Sequence, residues 1–92
     1  MIKSFKHKGL KRFFETGNTA GIIPEHEGSL RNCLAAIHQA EVITDLSLPS
    51  LRLHRLKGDR KNVWSVTVRA NWRITFEFTD GDAYILNYED YH

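Results

Sequence analysis

The second half of the chain alternates between apolar and polar residues, and this pattern constrains the fold more than any other. Trp64, Val66 and Val68 share one face of a first alternating segment, and a second segment repeats the pattern between residues 72 and 78. A period of two residues predicts β-strands with one buried face. We therefore expect a sheet that is covered on one side.

Turn signals link these segments into a meander. Asp80-Gly81 is the strongest two-residue hairpin signal in the sequence. Residues 83–88, which follow it, are rich in strand-forming residues, and residues 51–56 are a plausible first strand. The sequence thus predicts four antiparallel strands that are consecutive along the chain.

The first half of the chain has the helical period instead. Ser4 is a possible N-cap for a helix near residues 5–16, and Gly17 is its stop signal. Pro24 suits the start of a second helix. The apolar face of this second helix would comprise Leu30, Cys33, Leu34, Ile37 and Ala40.

Shorter elements complete the predicted architecture. Residues 1–4 are expected to form a short strand, and a turn or short helix is expected near residues 42–46. The fold class is α+β, with the N-terminal strand and the two helices packed on one face of an antiparallel sheet. No repeat or linker interrupts the sequence, so residues 1–92 are expected to form a single domain.

Length and composition exclude several classes of protein. A chain of 92 residues has room for one core and none for a separate cofactor domain, so we expect no cofactor. The apolar runs are too short to span a membrane, and the charged first residues lack the apolar stretch of a signal peptide. Cys33 is the only cysteine, which excludes an internal disulfide and a cysteine-based zinc site. We therefore expect a cytoplasmic protein.

The formal net charge of +2 conceals segments of opposite sign. Residues 1–12 carry +5 and residues 52–73 carry +6, whereas residues 13–51 carry −4 and residues 74–92 carry −5. A concentrated basic block is how a polyanion site shows itself in a sequence. A solvated basic surface is the alternative, and charge alone does not decide between them.

The apolar pattern also predicts how the strands pair. Uniting the apolar residues on one face places Val68 opposite Ile74 and Val66 opposite Phe76, with a three-residue connection over residues 70–72. The Asp80-Gly81 hairpin would continue this register, with Phe78 opposite Ala83 and Thr75 opposite Leu86. The other face of the sheet would then collect Arg69, Arg73, Tyr88, Asp90 and His92.

Such a set of side chains suits RNA cleavage without a metal. A base must take the proton from the 2′-hydroxyl, cations must stabilise the phosphorane, and an acid must protonate the departing 5′-oxygen. Histidine, lysine, tyrosine and arginine can fill these roles, and the basic segment over residues 52–61 would lie beside the face. The sequence has no compact Asp/Glu cluster suited to magnesium, so no metal site is expected.

Each of these residues also has an ordinary structural explanation. Arg69 and Arg73 could balance nearby carboxylates, and terminal residues such as His92 are usually frayed. Trp72 is expected in the core, with stacking on a base as the alternative. The remaining histidines are expected to face solvent: His7, His26 and His38.

Three stretches of the sequence, residues 56–60, 64–76 and 87–92, closely resemble HigB toxins of the RelE/ParE superfamily of bacterial toxin–antitoxin systems. The resemblance implies a RelE-like fold and an endoribonuclease that cuts messenger RNA bound in the decoding site of the small ribosomal subunit. It also implies a helix-turn-helix antitoxin, HigA, whose complex with the toxin binds operator DNA.

The resemblance also implies the catalytic residues. The catalytic positions of the family match His54, Lys57, Arg73, Asp90, Tyr91 and His92. Lys57 and Arg73 would stabilise the phosphorane, and His54 and His92 would share the base and acid roles, with His92 as the acid. Asp90 would orient or tune a histidine.

Tyr91 departs from this picture. Strict alternation along the last strand points Tyr91 away from Asp90 and His92. Either the terminal segment bends, or Tyr91 contributes less than the resemblance implies.

The remaining cations are candidates for contact with RNA or the ribosome. They are Lys3, Lys6, Lys8, Lys11, Arg12, Arg52, Arg55, Arg60, Lys61 and Arg69. The first five form a patch centred on the first helix, which would bind either ribosomal RNA phosphates or the antitoxin.

Two other functions stay open. A ParE-like toxin would inhibit DNA gyrase and cut no RNA, and a catalytically inactive module would serve only as a co-repressor with its antitoxin. His54 and the terminal histidine favour the nuclease, because a gyrase inhibitor has no need of them.

Overall fold

The computed structural model describes residues 1–60 and 62–90, so predictions about Lys61, Tyr91 and His92 lie outside the described residues. This part of the chain forms two α-helices packed against a four-stranded antiparallel sheet. The helices are α1 (Lys8–Thr16) and α2 (Glu27–Gln39), and the strands are β1 (His54–Arg55), β2 (Trp64–Arg69), β3 (Trp72–Thr79) and β4 (Asp82–Asp90). The predicted α+β class and the consecutive strand order are confirmed.

Short 3₁₀ helices lie in the connections between these elements. They cover Pro24–His26, Ile43–Leu46 and Gly58–Arg60. The first leads directly into α2, and the second is the short helix expected near residues 42–46. The first strand is shorter than the predicted segment over residues 51–56.

The N-terminal segment lies parallel to β4 and contacts it at intervals. Isolated bridges join Ile2 to Ala83 and Phe5 to Leu86. The expected strand over residues 1–4 is therefore present as a chain segment along the edge of the sheet, without a continuous ladder.

Helix α1 starts later than predicted. Its N-cap is His7 and not Ser4, because the Leu10 N–H donates to His7 Nδ1 at 2.9 Å. Ser4 Oγ instead accepts from the N–H of Ile85 at 2.8 Å, which ties the N-terminal segment to β4. Gly17 ends the helix in the left-handed region with φ 79°, as expected.

Helix α2 buries its predicted apolar face. Leu30, Cys33, Leu34 and Ile37 are buried in the helix, and Ala40 is buried just after it. These side chains join one hydrophobic cluster with the inward-facing residues of the sheet, among them Val66, Ile74, Phe76 and Leu86. None of the described helices has the length and apolar character that crossing a membrane requires.

The register between β2 and β3 differs from the prediction by two residues. Val66, and not Val68, pairs with Ile74. The chain reverses in a two-residue turn that starts at Ala70 (φ 52°), so the predicted three-residue connection is wrong. A bulge at Val68 takes up the extra residue and leaves its side chain buried.

A second bulge interrupts β4. The hairpin begins with the predicted pairing, but Ile85 then adopts φ 57° and is exposed to solvent. Beyond the bulge, Thr75 pairs with Asn87 and not with Leu86. Because one extra residue reverses the alternation, Tyr88 lies on the face covered by the helices, where it is buried.

Candidate active site

The face of the sheet opposite the helices, which we call the open face, carries mostly polar side chains. The observed register places on it His54, Ser65, Thr67, Arg73, Thr75, Asn87 and Glu89. Ser65 and Thr75 are buried even though they lie on this face. Longer side chains cover them: Arg73 Nη1 donates to Ser65 Oγ at 3.4 Å, and Thr75 Oγ1 donates to Glu89 at 2.9 Å.

A cleft of about 360 Å³ opens at the β1 end of the open face. Its lining comprises Arg52, Leu53, His54, Thr67, Ala70 and Arg73. The cleft brings together His54 and Arg73, two predicted catalytic residues, and adds Arg52, a predicted RNA-binding residue. A histidine beside two guanidinium groups can exchange a proton with an anionic ligand and stabilise its charge.

Glu89 is the centre of a hydrogen-bond network on the open face. Its carboxylate accepts from both terminal nitrogens of Arg60, at 2.9 and 3.1 Å. It also accepts from Thr75 Oγ1 at 2.9 Å and from Asn87 Nδ2 at 3.0 Å. The Arg60 hydrogen bonds are the main reason that the pKa of Glu89 is lowered, against the opposing effect of burial.

One predicted grouping of site residues is wrong. Asp90 and Arg69 are both cross-strand partners of Trp72, so they lie at the end of the covered face and not beside Arg73. Tyr88 also lies on the covered face. The bulges in β2 and β4 are the physical cause, since each shifts the alternation by one residue.

The bulge in β4 explains why Glu89 was not predicted from the sequence as a site residue. Without this bulge, alternation along β4 would place Asp90 on the same face as Arg73, whereas the observed register pairs Arg73 with Glu89. The sequence offers only a weak indication of this residue. Glu89 and Asp90 are adjacent at the end of β4, and neighbouring residues of a strand point to opposite faces of the sheet.

The other predicted residues of the basic segment are dispersed. Lys57 is exposed in the connection between β1 and β2, three residues before Arg60. Arg55 lies over the ring of Trp64, 5.7 Å from its centroid, and is not among the residues that line the cleft. Its pairing with Trp64 places Arg55 on the side of the sheet opposite His54.

The expectation that the other histidines face solvent is wrong. His7 caps α1, and His38 Nδ1 accepts from the Ile2 N–H at 3.1 Å. His26 is 6% exposed, and its Nδ1 is hydrogen-bonded to the hydroxyl of Tyr88. Burial lowers the pKa of both His7 and His26. These three histidines therefore have structural roles, because each forms a hydrogen bond within the fold.

The predicted N-terminal cations are all exposed. They comprise Lys3, Lys6, Lys8, Lys11 and Arg12, on the N-terminal segment and α1. Lys6 also lines a cavity of about 150 Å³ together with Arg60, Thr75 and Asn87. The N-terminal basic patch therefore extends to the edge of the network around Glu89.

The fold and the site define a small α+β protein whose open face carries a cleft lined by one histidine and two arginines. A family model described as the RelE-like toxin of the type II toxin–antitoxin system HigB matches residues 3–92. The chain belongs to this family of HigB-like toxins. The predicted family is confirmed, and membership of a type II system implies an antitoxin partner.

Curated relatives cover the chain from end to end. Endoribonuclease HigB from Proteus vulgaris is 59% identical over 92 residues, which is 100% of both chains. Toxin HigB-1 from Vibrio cholerae serotype O1 (strain ATCC 39315 / El Tor Inaba N16961) is 32% identical over 94 residues, covering 100% of this chain and 98% of the relative. The prediction of a toxin with endoribonuclease activity agrees with the name of the first relative.

Proposed function

We propose that this toxin is an endoribonuclease that cleaves messenger RNA in the decoding site of the small ribosomal subunit, without a metal ion. Full-length identity of 59% to a protein named Endoribonuclease HigB supports the activity. The observation that carries the proposal is the cleft shared by His54 and Arg73. It offers a proton carrier and a fixed cation to the same phosphodiester.

The proposed reaction is a transesterification. The 2′-oxygen of the nucleotide before the cut attacks the adjacent phosphorus while a base takes the proton of the hydroxyl. The bond between phosphorus and the 5′-oxygen breaks, and an acid protonates that oxygen. The products are a 2′,3′-cyclic phosphate and a 5′-hydroxyl.

We assign the proton transfers to His54 and His92, with His92 as the acid. Arg73 and Lys57 stabilise the charge of the phosphorane. Arg73 is suited to this role because its guanidinium group is half-buried and hydrogen-bonded to Ser65, so it is already ordered before RNA arrives.

Asp90 takes an orienting role in this proposal. It is the last residue of β4 and pairs with Trp72, away from the face that carries His54 and Arg73. We assign Asp90 to orient His92, which follows it by two positions, and leave proton transfer to the histidines. Tyr91 completes the proposed catalytic set.

An open cleft supports dependence on the ribosome. A cleft of about 360 Å³ on the face of a sheet encloses little of a nucleotide chain, so positioning has to come from another surface. The ribosome supplies that surface in our proposal. The contacts to RNA phosphates come from the predicted cations, Lys3, Lys6, Lys8, Lys11, Arg12, Arg52, Arg55, Arg60, Lys61 and Arg69.

The antitoxin is proposed to be a HigA-like helix-turn-helix protein. In this proposal the toxin reaches operator DNA only through the antitoxin complex. Residues 1–92 act as a single domain in the cytoplasm.

Cleavage mapping on programmed ribosomes tests the proposed function. We expect cuts in messenger RNA only when ribosomes are present, with 2′,3′-cyclic phosphate at the new ends. His54→Ala should cut more slowly, and because His54 is exposed, its removal should leave the core unchanged. Intact message together with altered DNA topology in treated cells would instead identify a gyrase inhibitor.

A further inference from the structure

The connection between β1 and β2 is closed at its base. The Leu56 N–H donates to the Val63 carbonyl oxygen at 2.8 Å, and the Val63 N–H donates to the Arg60 carbonyl oxygen at 2.9 Å. Leu56 is buried, which anchors the start of the connection in the fold. Between Leu56 and Arg60 lies Lys57, a residue to which the proposed function gives a catalytic role.

Arg60 attaches the tip of this connection to β4, the strand at the opposite edge of the sheet. Its guanidinium group forms a bidentate ion pair with Glu89, a residue 29 positions further along the chain. Glu89 is in turn fixed by Thr75 on β3 and by Asn87 on its own strand. The connection is therefore joined to both central and edge strands of the open face.

The geometry of this ion pair distinguishes it from an ordinary surface pair. The side chains of Arg60 and Glu89 are 43% and 23% exposed and meet through two hydrogen bonds. The pair of Arg31 and Glu27 on α2 is 61% and 43% exposed and meets through one. Two-pronged arginine–carboxylate pairs in partly buried positions fix orientation, whereas exposed single contacts contribute little.

We infer that Glu89 is a positioning residue for the proposed RNA cleavage: its ion pair with Arg60 holds the connection between β1 and β2, and with it Lys57, against the open face. The catalytic part of this inference rests on the proposed function. Arg60, which the proposed function counts among the RNA contacts, then has a second role through Glu89, to which both of its terminal nitrogens donate.

Limited trypsin digestion tests the ordering of the connection without reference to catalysis. The full-length protein is compared with Glu89→Gln, Arg60→Ala and the double variant, and cleavage after Lys57 is followed by mass spectrometry. Each single variant should speed this cleavage by a similar factor, and the double variant should add nothing further, because either change removes the same pair. Glu27→Gln is the matched control and should cleave like the parent protein.

Kinetics on programmed ribosomes test the effect on catalysis. We expect Glu89→Gln to lower kcat on the order of 10- to 100-fold, the loss that a misplacement of about 1 Å causes, with KM nearly unchanged. A direct charge effect would behave differently, since removing a negative charge near a polyanion would lower KM. The double variant with exchanged charges, Arg60→Glu with Glu89→Arg, should recover part of the kcat that either single charge reversal loses.

The outcomes separate the inference from the function on which it rests. If the parent protein cuts no RNA, the proposed function fails, yet the trypsin result still decides whether Glu89 orders the connection. Parental trypsin resistance in Glu89→Gln overturns the inference outright. A loosened connection with unchanged kcat overturns its catalytic part, and additive effects of the two single variants overturn the pairing.

Discussion

The hydroxyl of Tyr88 is hydrogen-bonded to Nδ1 of the buried His26, a residue 62 positions earlier in the chain. The ring centroids of Trp72 and Tyr88 lie 4.8 Å apart, and those of His26 and Trp72 lie 5.7 Å apart in a T-shaped arrangement. The end of β4 is thus held from the covered face by His26, and one residue later it is held from the open face by Arg60 on Glu89. The strand that carries the proposed catalytic terminus is fixed on both sides.

Tyr88→Phe should destabilise the protein by about 1–3 kcal/mol, because it leaves a buried histidine nitrogen without its partner. Thermal unfolding measures the change, and for a domain of this size about 1 kcal/mol lowers Tm by about 4–8 °C. Tyr84→Phe is the control, since the Tyr84 side chain is exposed on the same strand. Equal Tm values for the two variants would contradict a role for the hydrogen bond.

Stability should fall as the solution is acidified below pH 6.5. Burial lowers the pKa of His7 and of His26 from 6.5, and the positive charge of Arg69 lowers that of His26 further, against an opposing effect of Glu25. The unfolded chain therefore binds more protons than the folded chain just below pH 6.5. The histidine contribution is complete above that pH and is lost as pH falls through the lowered native values.

Urea unfolding across this pH range measures the effect. His7→Asn keeps an acceptor at the N-cap of α1 but cannot titrate there, so it should reduce the pH dependence. Glu89 acts in a separate and more acidic window: its pKa is lowered from 4.5, so its contribution is present above 4.5 and is lost below. If the free energy of unfolding of His7→Asn falls with pH as steeply as that of the parent protein, His7 does not contribute to the pH dependence.

Gly9→Ala should be strongly destabilising. A Cβ atom at Gly9 would lie 2.5 Å from the carbonyl oxygen of Gly21, which is backbone and cannot turn away. We expect a loss of about 1–3 kcal/mol in the free energy of unfolding. Gly28→Ala on α2 meets nothing within 4 Å and should leave stability unchanged or raise it by up to about 1 kcal/mol.

His54→Ala and Arg73→Ala should reduce cleavage of ribosome-bound message. Losing a proton carrier typically costs about 10²–10⁴-fold, and losing a charge-stabilising donor about 10²–10³-fold. Single-turnover cleavage measures both, and urea unfolding should show His54→Ala within about 0.5 kcal/mol of the parent because the side chain is exposed. A parental cleavage rate in either variant would exclude that residue from the chemistry.

Alanine substitution of Lys8, Lys11 and Arg12 should weaken binding to ribosomes and flatten its salt dependence. Each lost phosphate contact reduces the slope of log K against log salt by about 0.7–0.9. The binding constant at several salt concentrations gives this slope. An unchanged slope, together with weaker binding to the antitoxin, would assign the patch to the protein partner.

Much of the fold follows from local pattern. The apolar face of α2, the stop at Gly17 and the position of each strand are visible because burial and turn chemistry act on neighbouring residues. The site is less predictable. The bulges at Val68 and Ile85 each insert one residue that no hydrophobic pattern marks, and together they decide which residues share a face with Arg73. The same limit applies to His26, whose partner becomes visible only in three dimensions.

The N-terminal segment along β4 has a consequence for association between molecules. An uncovered strand of nine residues would offer its backbone groups to another sheet, but the Ala83 and Leu86 backbone is already bonded to residues 1–7. At the other edge of the described sheet, β1 is only two residues long and carries His54 and Arg55. Both edges are therefore poor templates for strand addition, which favours a toxin that stays dispersed when its antitoxin is absent.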